Sequence, residues 1–121
     1  MTEDHRRYLL LLPAPEDEWA RLPESELELG MQNHQQFHEA LAARGHTLVM
    51  ASPLEPSAQA IAMRNAGRGS AIVTEGPFTE TVEQVVGFYL IDSGDEADLL
   101  EVVRSFAEGG DHVEFRRLST S

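Results

Sequence analysis

The sequence predicts an α+β fold: a ferredoxin-like βαββαβ core with an inserted β-hairpin, forming a dimeric α+β barrel. Three observations predict it. Apolar runs and helical patterns follow the order strand, helix, strand, strand, helix, strand, which is the split-βαβ order. Two short strand-like runs flank Asn65-Ala66-Gly67-Arg68-Gly69, which reads as a hairpin inside that order. An antiparallel sheet with both helices on one face leaves its other face bare, and a second copy of the chain is the obvious cover. At 121 residues the chain fits one domain over 1–121, with an ordered core over 6–118.

Taken in order, residues 1–5 are polar and expected to fray. Tyr8 to Leu12 reads as the first strand, ended by Pro13. Pro15-Glu16-Asp17-Glu18-Trp19 starts a short helical turn with acids at its favourable end. Pro23 breaks it, and Ser25-Glu26-Leu27-Glu28 has the form of a capping box opening a helix to about Arg44. Gly45 is suited to the residue beyond the helix end. Leu27, Met31, Leu41 and, one column over, Phe37 mark the expected buried face, and His34 and His38 fall on the same stripe. Thr47 to Ala51 is the second strand, and Pro53 and Pro56 bracket a loop. The hairpin strands are Gln59 to Arg64 and Ser70 to Thr74. Val85 to Ile91 is apolar enough to be central. Ser93-Gly94-Asp95 caps a helix over about 96–108, whose expected inner face is Leu99, Leu100, Val103, Phe106 and Ala107. Gly109-Gly110 stops it, His112 to Arg117 forms the last strand, and the tail after Leu118 is expected to be loose.

The formal net charge is -12, which argues against a nucleic-acid partner, because such partners are held chiefly by phosphate neutralisation. Arg6-Arg7 and Arg116-Arg117 are pairs rather than a basic stripe. There is no cysteine, so disulfide and thiolate chemistry are excluded, in keeping with a cytoplasmic protein. Leu9 to Leu12 is too short for a membrane span or a signal segment. Gly67 and Gly69 lack the strand-to-helix setting of a phosphate loop, and no serine sits in a nucleophile elbow.

The run Glu75-Gly76-Pro77-Phe78-Thr79-Glu80-Thr81-Val82-Glu83-Gln84-Val85-Val86-Gly87-Phe88-Tyr89, before the acidic Asp92, resembles the signature of the YCII-related proteins in the branch named for a DGPF motif. The likeness extends to Trp19 after an acidic stretch, a helix with His34 and Phe37 near its middle, Gly45, and Leu54-Glu55-Pro56-Ser57-Ala58. It implies a dimeric α+β barrel. It departs at Glu75, where the motif has aspartate, and at Val82, where relatives often carry lysine. The resemblance also implies a histidine and an aspartate as a catalytic pair; His34 matches the histidine by its place in the helix, and Glu75 is the weaker match for the acid.

An imidazole on a buried helix face suits proton transfer near neutral pH, although a core histidine bonded to one carbonyl has the same pattern. The catalytic candidates are His34, with Glu75 or Asp92 orienting it; Asp92 serves equally as a residue that turns the chain toward the helix cap. Tyr8, Phe37, His38, Phe78 and Tyr89 are candidate ligand-binding residues, with core packing the alternative for the two tyrosines. His34 and His38 have the spacing for one metal, but two ligands do not make a site, so neither a metal nor a cofactor is expected. The chain is thus expected to be a homodimer that takes a small molecule, with no membrane partner. One reading is a cofactor-independent lyase, isomerase or hydrolase. The other is a non-catalytic ligand-binding or regulatory module, which the resemblance associates with sigma-factor-controlled responses; the Glu75 change also allows a dimer with a dead site.

Overall fold

The computed structural model describes residues 5–119; most of the stretch expected to fray, and the last two residues of the tail, lie outside them. The described elements are β1 (Arg6–Pro15), α1 (Glu16–Trp19), α2 (Glu24–Ala43), β2 (Thr47–Pro53), a 3-10 turn (Ser57–Gln59), β3 (Ile61–Asn65), β4 (Ala71–Glu75), β5 (Glu83–Ser93), α3 (Glu96–Glu108) and β6 (Glu114–Arg117). β2, β5, β1 and β6 form a four-stranded antiparallel sheet in that order, and β3 and β4 form a separate hairpin. The fold is therefore α+β. No helix among the described residues is long and apolar enough to cross a membrane.

Strand alternation assigns the two faces of the sheet. Tyr8, Leu10 and Leu12 of β1 pair with Ile91, Tyr89 and Gly87 of β5, and these positions turn toward the helices. There they meet Phe37 and Leu41 of α2 and Leu99, Val102, Val103 and Phe106 of α3. On the opposite face Leu9 pairs with Leu90 and Leu11 with Phe88, flanked by Met50 and Ser52 of β2 and by Glu114 and Arg116 of β6. Neither long helix packs on this second face.

Local features differ from the sequence expectation: Gln59 belongs to the 3-10 turn rather than to the first hairpin strand, and β6 begins at Glu114 rather than His112. β1 does not stop at Pro13. It continues to Pro15 because Val86 is an extra residue in β5, shifting the register after Leu12, and because β6 pairs only with Tyr8 to Leu11. The prolines lie where β1 has a sheet partner on one side alone, so a missing N–H costs little. The capping box does not form: α2 starts at Glu24, and the Pro23 carbonyl accepts from the N–H groups of Glu26 and Leu27. Ser25 is thereby inside the first turn rather than at the cap. In α3 the buried stripe is Leu99, Val102, Val103 and Phe106, while Leu100 and Ala107 turn outward.

The end of α2 follows expectation. Gly45 takes a φ of 81°, and the N–H groups of Gly45 and His46 bond the carbonyls of Ala42 and Leu41, a Schellman closure. Asp95 caps α3 through the Asp98 N–H. The N-terminal half of α2 does not enter the core: Leu27 is 42% exposed and Met31 72% exposed. This half projects beyond the packed helix pair and borders a cleft.

Candidate functional site

The cleft occupies about 1150 Å³ between the N-terminal half of α2, the ends of β1, β2 and β5 nearest it, and the segment after α3. Helical periodicity brings Leu27, Met31, His34 and His38 to one stripe, and all four line the cleft. The stripe is real; what it faces is the cleft rather than the core.

At the base of the cleft four polar side chains form a continuous chain. The Asp111 carboxylate lies 3.2 Å from His34 Nε2. His34 Nδ1 lies 2.5 Å from the Tyr89 hydroxyl, and His38 Nε2 lies 3.0 Å from the same hydroxyl. Asn33 Nδ2 donates to the other Asp111 oxygen at 2.7 Å and to the Phe106 carbonyl at 2.9 Å, tying Asp111 to the end of α3. Below them Phe37 stacks on Phe106 and meets Tyr89 edge-on at 5.0 Å. These rings fix the plane of the phenol.

Electrostatics set the direction of the chain. Burial pushes the Asp111 carboxyl up, but hydrogen bonds from His34 and Asn33 outweigh it and hold the group below its ordinary value. Burial, with a contribution from the Asp111 charge, pushes the Tyr89 phenol up to about 12. Asp111 is therefore an anion that only accepts, and Tyr89 remains a hydroxyl. His34 Nε2–H donates to Asp111, which leaves Nδ1 of a singly protonated ring to accept the Tyr89 O–H. The Tyr89 oxygen then accepts from His38 Nε2–H. The remaining lone pair is on His38 Nδ1, which has no hydrogen-bond partner among the described residues, in a side chain that lines the cleft.

The other candidates are dispersed. Asp92 sits three residues after Tyr89 on the same strand, hence on the opposite face, where it meets His5 at 2.8 Å and Arg7 at 3.7 Å. It neither orients His34 nor caps α3. Glu75 ends β4 beside Glu16, Asp17 and Glu80 in a different hollow. Phe78 is exposed with the Arg64 guanidinium 4.2 Å above its ring. Tyr8 and Phe37 are buried in the core rather than open to the cleft. Burial, then the Glu96 charge, raises the Tyr8 phenol. No group of three or more metal-binding side chains forms among the described residues.

Asp111 and Asn33 were not candidates from the sequence. The signal for Asp111 is its position, an acid directly after the Gly109-Gly110 stop. Gly109 also has a local reason: a Cβ there would lie 2.0 Å from the Asn33 side chain. A larger residue would displace the amide that holds Asp111.

Comparison with known proteins agrees with the sequence reading at the level of family. An uncharacterized protein, R00369 of Rhizobium meliloti (strain 1021), is 41% identical over 54 residues, or 45% of this chain and 43% of that protein. The match thus spans less than half of that relative. An unknown protein from Galdieria sulphuraria superposes with a TM-score of 0.46 at 13% identity, over 98% of this chain and 53% of that one. A putative amidohydrolase/peptidase from Burkholderia cenocepacia gives 0.34 at 18% identity, over 95% and 27%. Neither superposition is close enough to carry an argument. The model of the YCII-related domain matches residues 7–116, which takes in all of α2, the hairpin, β5 and Asp111, and the chain belongs to that family.

Proposed function

We propose that the protein is a cofactor-independent acid/base enzyme acting on a small organic molecule in the cleft, through proton abstraction of the kind lyases, isomerases and hydrolases use. The observation that carries this reading is the chain from Asp111 through His34 and Tyr89 to His38, ending on an open imidazole lone pair. His38 Nδ1 takes a proton from the substrate. His38 Nε2–H passes to the Tyr89 oxygen while the Tyr89 proton passes to His34 Nδ1. His38 and Tyr89 end neutral, and the positive charge rests on His34 beside Asp111. No phenolate forms, in keeping with a phenol pushed up to about 12. Asp111 takes the orienting role that the sequence reading gave to Glu75 or Asp92.

The assembly belongs to the same proposal. The sheet order β2-β5-β1-β6 supports the ferredoxin-like arrangement, and the half-buried apolar row of Leu9, Leu11, Phe88 and Leu90 supports a second copy on that face, completing the dimeric barrel. The Gly76 to Tyr89 block supports the DGPF branch, and the absence of cysteine supports a cytoplasmic setting.

The test is deuterium incorporation, followed by NMR in heavy water, into a panel of uncharged ketones and β-dicarbonyl compounds. The expected result is exchange that falls by about 10²–10⁴ in His38→Ala and Tyr89→Phe. Saturable binding of panel members with no exchange above the variants' level would replace this reading with the non-catalytic ligand-binding module.

A further inference from the structure

The chemistry of the cleft wall reaches beyond the reaction type to the class of ligand. The chain's nine basic residues are all arginines. Among the described residues none of them lines the cleft. The acids that do are Asp111 at the base and Glu26 and Glu28 at the exposed rim. Both Asp111 oxygens are occupied, one by His34 and the other by Asn33. The remaining wall is largely apolar, with Leu12, Trp19, Leu27, Met31 and Val86 its main side chains; its other polar side chains are Gln32, Gln35, Ser52 and His112.

An anionic substrate would enter this space toward a fixed carboxylate, in a chain of net charge -12, with no arginine in the lining to offset the loss of its hydration. A cationic head would find Asp111 already paired and the rim glutamates solvated. The polar group left at the base by the proton chain is the His38 Nδ1 lone pair, an acceptor that matches the hydroxyl of an uncharged alcohol or enol. We infer that the cleft selects an uncharged, largely apolar molecule carrying one hydrogen-bonding head group, and discriminates against carboxylates and phosphates. This rests on the cleft being the ligand site, as in the proposed function.

The chain's single tryptophan, Trp19, lines the cleft, so its fluorescence reports occupancy directly. The test titrates the intact protein near neutral pH with phenylbutanol, phenylbutyrate and phenylbutylamine, which share one skeleton and differ in head charge. The expected result is saturable binding of the alcohol, with the carboxylate about tenfold weaker or more, a difference of about 1.4 kcal/mol. Met31→Arg, at an exposed lining position, should erase or reverse that preference. Tyr89→Phe should keep the order of the three affinities while interrupting the proton chain, so failure of the ligand class and failure of the acid/base reading are read separately. Carboxylate binding equal to or tighter than the alcohol, an amine tighter by about tenfold, or no saturable response to the alcohol would each overturn the inference.

Discussion

Two histidine-centred clusters join the α2 region to β5, and they differ in one respect that decides their use. At the cleft, His34, Tyr89, His38 and Asp111 form a chain with an open end. At the far end of the same strand, His46 Nδ1 bonds Ser93 Oγ at 2.8 Å and His46 Nε2 bonds Asp98 at 2.7 Å. That second cluster has the composition of a hydrolytic triad, yet the His46 side chain is 2% exposed and Ser93 is 1% exposed. Ser93 Oγ also accepts from the Asp95 N–H, and Asp98 also receives Arg44. Every polar atom is committed, so the cluster pins the start of β2 and the start of α3 to the end of β5. Residue types alone do not make a site; an unspent lone pair facing open space does.

The widest separation between the clusters should be in stability. His46→Ala leaves buried Ser93 and the facing Asp98 without their imidazole, and should cost about 2–4 kcal/mol in denaturant unfolding. The melting temperature should fall by roughly 10 °C. His38→Ala, at an exposed position, should stay within about 0.5 kcal/mol. Equal losses would erase the distinction.

Acid and alkali should separate the clusters further. Hydrogen bonds from Arg44 and then His46 hold Asp98 below its ordinary value, and those from His34 and Asn33 do the same for Asp111 against its burial. Both contribute stability that is present above the unfolded carboxylate range and lost as pH falls through the lowered folded values. Asp98→Asn or Asp111→Asn should each flatten the acid limb of stability against pH. In alkali the sign reverses. Tyr89 is raised, so its contribution is complete below the unfolded value of about 10 and is lost as pH rises toward about 12. An absorbance titration of the two tyrosines should show less than half ionised at pH of about 10.

Smaller effects sharpen the geometry. Gly109→Ala should displace Asn33, loosen Asp111 and slow deuterium exchange severalfold, with little change in unfolding because Gly109 already has an ordinary φ of -78°. Glu75→Gln and Asp92→Asn should leave exchange unchanged, since neither residue reaches the cleft chain.

Much of the fold was legible because it is written in local periodicity. The 3.6-residue stripe of α2, the Asp95 cap, Gly45 and the hairpin turn with Gly67 and Gly69 each leave a signal within a few residues. Pro13 misled because the bulge that accommodates it is on another strand, at Val86. Leu27 and Met31 looked like core because periodicity tells which residues share a face, not whether another element covers it. The histidines and Tyr89 were visible as chemistry-bearing residues at regular positions. Their acid was not, because Asp111 lies 78 residues from Asn33, and only the packing of α3 on α2 brings them together. Glu75 drew attention by its motif and Asp92 by its strand end, but strand parity and the separate hairpin keep both away.

The most direct test of the proton chain is ring-nitrogen NMR of His34 and His38, in the native protein and in Tyr89→Phe, above the pH at which both imidazoles are neutral. Both rings should be held in the Nε2–H tautomer, with His34 Nδ1 shifted as a hydrogen-bond acceptor and both signals moving when the Tyr89 hydroxyl is removed. A His34 ring carrying its proton on Nδ1, or a His38 signal indifferent to Tyr89→Phe, would contradict the chain and leave the cleft without an acid/base relay.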